Sequence, residues 1–286
     1  MPDQLTMSTA LHTSVQSSAG PLAGLIASPE ASANAPVILL VPGYTGSKED
    51  FVPLLDPLVQ AGFVAVAIDQ PGQYESRGPD DEAAYLPAAL GPVIGSVVTE
   101  FALDHPVVLL GHSFGGLSAR AAVIGGAPVS GLVLLCSGPA AFVSGNRFDA
   151  LTKGQPLLRE HGKLALYEAS ARAAGQDPDD AAPLAQFFRR RFLASSEPGL
   201  LSMGRALLTE PDLTPELAVA MARRGIPAAV IAGEADDAWP LEEQRTMARA
   251  LGTDLVLIPG AAHSPAVESP ENLLAVLVPL IRSWLA

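Results

Sequence analysis

A single cysteine, Cys136, excludes any intrachain disulfide. It lies in GLVLLCSG, an apolar strand pattern in which cysteine acts as a small buried hydrophobe. Aromatic residues make up only 5% of the chain, so a core must be built mostly from aliphatic side chains. Positive charge is scarce as well. There are 17 Lys and Arg against 30 Asp and Glu, a net charge of −13, which argues against nucleic acid and anionic membranes as partners. No apolar run reaches the roughly 18–20 residues that a bilayer span requires. The first twenty residues contain no Lys or Arg and no apolar h-region, so they do not read as a secretory signal. They read as a leader followed by an edge hairpin, with Met7 as an alternative start, in a cytoplasmic protein. Nothing in the pattern speaks to oligomeric state.

What is present is a rhythm. At 49% apolar, the 286 residues suffice for one large domain with an insertion. Short apolar runs such as PVILLVPG (36–43), FVAVAIDQPG (63–72), VVLLG (107–111) and SGLVLLCSG (130–138) alternate with helix-like stretches. The helical reading covers 50–62, 81–103 with interruptions at Pro87 and Pro92, and the residues after Ser113. Continuous apolar strands alternating with helices imply a parallel sheet covered on both faces. The rhythm stops at about residue 139 and returns with IPAAVIAGEADD (226–237). Between them lie only helical patterns, with 11 Lys and Arg against 10 Asp and Glu. The expected organisation is therefore an α/β core over 1–138 and 227–286, with a helical cap over 139–226 at the carboxyl ends of the strands.

GHSFGG (111–116) fits G-x-S-x-G between an expected strand and an expected helix. A sharp strand-to-helix turn there lifts a serine hydroxyl clear of the sheet, provided its neighbours are small. A serine hydroxyl is a poor nucleophile without a base, and the base needs an orienting acid. Of five histidines, His12 is in the leader, His105 is at the opposite end of the sheet, and His161 is in the cap. His112 adjoins Ser113 but is expected to leave the turn in another direction. His263 follows the last strand and is the best base. The acid belongs after a strand end too, where AGEADDAWP offers Asp236, with Asp237 as the alternative. Two backbone N–H groups should bind an oxyanion: that of Phe114, just past the serine, and that of Tyr44, after PVILLVPG. No metal or cofactor motif accompanies them, and none is expected.

Taken together, VPGYTGSKEDF, DQPGQYESRG, GHSFGG, GEADDAWP and GAAHSPAVESPE resemble the α/β-hydrolase fold with a helical cap, over about residues 34–286. The resemblance implies a doubly wound, mostly parallel sheet, a Ser113–Asp236–His263 triad and hydrolysis through an acyl-enzyme. The chain departs from the family pattern at Pro42-Gly43, where His-Gly is frequent, and at Gln73-Tyr74, where a second glycine is usual. The function expected is hydrolysis of a small, mostly apolar carboxylic ester, lactone or thioester. Six cap aromatics, Phe142, Phe148, Tyr167, Phe187, Phe188 and Phe192, are candidates for an apolar pocket, with two or three expected to touch substrate. The same triad serves perhydrolysis, C–C hydrolysis and acyl transfer, and the same fold can serve as a non-catalytic ligand-binding receptor.

Overall fold

The uninterrupted apolar runs become strands buried on both faces. In the computed structural model, which describes residues 3–30 and 34–286, β3 (Val37–Val41), β4 (Val64–Ile68) and β6 (Gly131–Leu135) are buried at every position. With β1 (Leu11–Val15), β2 (Leu22–Ala27), β5 (Val107–His112), β7 (Ala228–Gly233) and β8 (Leu255–Ile258) they form one sheet in the order β1-β2-β4-β3-β5-β6-β7-β8. The six strands from β3 to β8 run parallel, and β2 joins β4 antiparallel. The edge hairpin expected near the start is β1 and β2, which pair antiparallel.

Side chains alternate across the sheet as the period of two requires. Ile38 and Leu40 belong to one core cluster; Val37, Leu39 and Val41 belong to the other. Helices α1 (Val52–Gln60) and α10 (Pro270–Leu285) close the first face through Leu54, Leu55, Leu273 and Leu277. The second face is closed by α2 (Pro87–Phe101), α3 (Phe114–Ile124) and α8 (Leu241–Ala250). Pro87 opens α2 instead of interrupting it, because the first helical turn has no partner for an N–H there. Pro92 is carried inside the helix.

Between β6 and β7 come α4 (Asn146–Ala173), broken at Gly162, α5 (Pro183–Ala194), α6 (Glu197–Thr209) and α7 (Thr214–Arg224). Helix α7 packs against α3 and α8, and its Leu217 and Met221 join the second-face cluster. It is part of the covering layer, although its sequence pattern groups it with the other inserted helices. The short helix α9 (Pro265–Glu268) follows β8. No helix among the described residues is long and apolar enough to cross a membrane.

Candidate active site

Strand β5 ends at His112 and α3 begins at Phe114, which leaves one residue to reverse the chain. That residue, Ser113, takes φ 54° and ψ −121°, a conformation L-residues rarely adopt. The packing around it over-determines the strain. A Cβ at Gly111 would run into the backbone of Gly115 and Gly116, and one at Gly115 would run into the carbonyls of Val41 and Pro42. Ser113 is 6% exposed and its N–H donates to the Leu135 carbonyl at 2.9 Å.

Two loops from distant parts of the sequence meet this serine. His263 lies in the loop between β8 and α9, and its Nε2 is 3.0 Å from Ser113 Oγ. Its Nδ1 is 2.8 Å from Asp236 Oδ1. Asp236 is held in the turn after β7: Oδ1 also accepts from the Ala238 N–H, and Oδ2 accepts from Gln244 Nε2 at 2.9 Å. Burial pushes the Asp236 carboxyl upward, but the donors around it, His263 foremost, outweigh this and hold it below the usual range. Asp237 turns away to an exposed ion pair with Arg147 at 2.7 Å. Glu234 accepts from the Gly260 N–H in the loop after β8.

The turn after β3 approaches from the other side. A Cβ at Gly43 would lie 2.9 Å from the Ser113 Cβ, so only glycine lets the two loops touch. Tyr44 follows directly. Among the described residues neither the Tyr44 nor the Phe114 N–H has an acceptor. Two donors are thus left beside the serine, one at the start of a helix where the dipole favours negative charge.

Several groups around the site carry no sequence signature. The His112 ring does leave Ser113, but toward His263, at a centroid distance of 5.0 Å. Its Nε2–H donates to the His263 carbonyl at 2.7 Å. Burial and then the neighbouring His263 lower its pKa to about 4. Glu268 accepts from the Ala262 and Ser264 N–H groups and so brackets His263. Gln73 donates to the Gly43 carbonyl at 2.7 Å and Gln70 to that of Pro42 at 2.9 Å, which pins the turn carrying Tyr44. The departure at Gln73-Tyr74 therefore has a structural use. Tyr74 adopts φ 38°, where glycine would be easier, and its ring packs edge-on to Phe187 and under the Lys48 ammonium.

A cavity of about 570 Å³ opens over Ser113 and His263. Helices α4, α5 and α6 supply much of its wall. Phe142, Tyr167, Phe188 and Phe192 line it. Phe148 instead packs into a core cluster with Phe142 and Trp239, and Phe187 is buried against Tyr74. Two clusters, His112 with Cys136 and His263, and Asp236 with Asp237 and His263, have the spacing of metal ligands. The His112, His263, Asp236 and Asp237 atoms are committed to the contacts above, the Cys136 thiol donates to the Ala262 carbonyl and burial pushes it far up, so neither cluster fits a resident ion.

Comparison with known proteins agrees with the architecture. A pimeloyl-[acyl-carrier protein] methyl ester esterase of Edwardsiella ictaluri is 31% identical over 237 residues, which is 77% of this chain and 84% of that protein. A thermophilic esterase from Thermogutta terrifontis superposes with a TM-score of 0.69 at 21% identity, covering 97% of this chain and 98% of that one. An enol-lactonase from Burkholderia xenovorans gives 0.71 at 19%, covering 96% and 99%. The model of the alpha/beta hydrolase family matches residues 38–276, from the first parallel strand into the last helix. With sheet order, strand-to-helix turn and sequence match in agreement, the chain belongs to the alpha/beta hydrolase family.

Proposed function

We propose that the protein is a serine hydrolase that cleaves a small carboxylic ester through an acyl-enzyme. The observation that carries this reading is the unbroken hydrogen-bond line from Asp236 through His263 to Ser113, opening into the cavity. Ser113 Oγ attacks the ester carbonyl while His263 Nε2 takes its proton. Asp236 accepts from Nδ1–H, fixes the tautomer and stabilises the imidazolium. The Tyr44 and Phe114 N–H groups receive the oxyanion. His263 returns the proton to the departing alkoxide, which leaves as alcohol. Water then repeats the sequence on the acyl-serine and releases the acid. Helices α4 to α6 act as the cap, with α7 belonging to the core. The ester preference is supported by the similar methyl ester esterase and by the mostly apolar wall. The lactonase among the fold neighbours keeps a cyclic ester within the same chemistry.

A fluorophosphonate probe should label the folded protein at Ser113, and Ser113→Ala should abolish labelling. Turnover of p-nitrophenyl esters should fall by a factor on the order of 10⁴–10⁶ in that variant. Retained turnover would overturn the assignment.

A further inference from the structure

The cavity is not uniformly apolar. At Gly204 of α6, a Cβ would overlap the Gln155 carboxamide and lie 3.2 Å from the Tyr44 hydroxyl. These two polar ends, one from α4 and one from the turn after β3, therefore converge on the same glycine. Gln155 and Tyr44 both line the cavity, and neither polar end has a hydrogen-bond partner among the described residues. Tyr44 is half-buried and lines the cavity, so its hydroxyl is open to a polar group bound there. The Tyr44 ring packs against two apolar clusters, which offer its hydroxyl little to turn to.

We propose that Tyr44 Oη and the Gln155 carboxamide form a polar subsite that selects esters bearing a hydroxyl, amide or carbonyl group several bonds from the scissile carbonyl. The proposal rests on the ester-hydrolase reading above and deepens it. The spacing comes from Tyr44 itself. Its backbone N–H faces the reacting carbonyl oxygen, and its hydroxyl lies one tyrosine side chain away, so the substrate's second polar group must sit at about that separation. The phenol donates to a carbonyl or accepts from a hydroxyl, and the carboxamide offers both functions. The missing side chain at Gly204 leaves the space that the Gln155 carboxamide occupies.

The test compares matched ester pairs on the purified protein: methyl hexanoate against its ω-hydroxy analogue, and hexyl acetate against its ω-hydroxy analogue. Acid release is followed by titration. The wild type should prefer the hydroxylated member of at least one pair by about 10-fold in kcat/KM. Gln155→Leu keeps the volume and should erase that preference through KM, leaving the apolar member within about twofold. Gly204→Ala should erase it too, by displacing the carboxamide, with the fold checked by its thermal melt. Cleavage of the apolar esters with no preference in either pair, or an equal loss on both members in Gln155→Leu, overturns the subsite alone. If all four esters are inert in the wild type, the ester-hydrolase reading falls, and this subsite with it.

Discussion

At the residue scale, two adjacent carboxylates show how little separates a buried partner from a surface charge. Asp236 has no exposed side-chain surface, whereas the Asp237 side chain is 57% exposed. Asp236→Asn should lower kcat on the order of 10⁴-fold, because the amide favours the wrong imidazole tautomer. Asp237→Asn should stay within a few-fold of wild type. Separate kinetics of the two variants check this, and a larger loss at Asp237 would reverse the assignment. His112 supplies a pH prediction. Its pKa falls from 6.5 to about 4 on folding, so the unfolded chain holds more protons between those values. Its contribution to stability is complete above pH 6.5 and is lost as pH falls toward about 4. In His112→Gln, denaturant midpoints should drop less steeply across that window. An unchanged slope would show that the ring is not held neutral.

At the scale of elements, the inserted helices are clasped at their root by one side chain. Arg120 of α3 is 1% exposed and donates through Nη1 to the Pro139 carbonyl, where the chain leaves β6. Through Nη2 it meets Glu210 at 2.8 Å, just after α6. Two backbone bonds, Ala141 N–H to Glu210 and Phe142 N–H to Leu207, close the same junction. Removing the cation strands a largely buried carboxylate. Arg120→Met should therefore destabilise the fold by about 3 kcal/mol, and the double variant Arg120→Met with Glu210→Leu should recover most of that loss. Urea unfolding of both variants measures it. No recovery in the double variant would mean that the carbonyl contacts, not the ion pair, carry the junction.

At the scale of the whole molecule, the charge asymmetry of the sequence acquires a geometry. Arginines from the nearly neutral helical segment reach back to carboxylates of the acidic core around the cavity. Arg191 pairs with Asp50 at 2.6 Å, with side chains 12% and 16% exposed. Arg147 pairs with Asp237 where both are well exposed. An exposed pair contributes about 1 kcal/mol or less and is screened by salt. Thermal melts should therefore show a small, salt-sensitive effect of Arg147→Gln and a larger, less salt-sensitive effect of Arg191→Gln. Equal effects would mean that burial does not distinguish the two contacts.

The sequence by itself determined the sheet, because a strand buried on both faces must be apolar at every position and so announces itself locally. Val37–Val41 and Gly131–Leu135 are cases. It also determined where a strained serine turn could stand, since Gly111 is demanded by contacts with Gly115 and Gly116 a few residues on. The contact of His263 with Ser113, and that of Asp236 instead of Asp237 with the His263 ring, are made only in the tertiary structure. The first joins residues 150 apart in the chain and the second residues 27 apart, on different loops that converge at one sheet edge, and no local period encodes either. The same reason hid the contacts of His112, Gln73 and Arg120, whose partners lie on other elements. The tertiary structure also placed α7 beside α3 and α8: an amphipathic helix records that it has an apolar face, while the fold decides what that face covers.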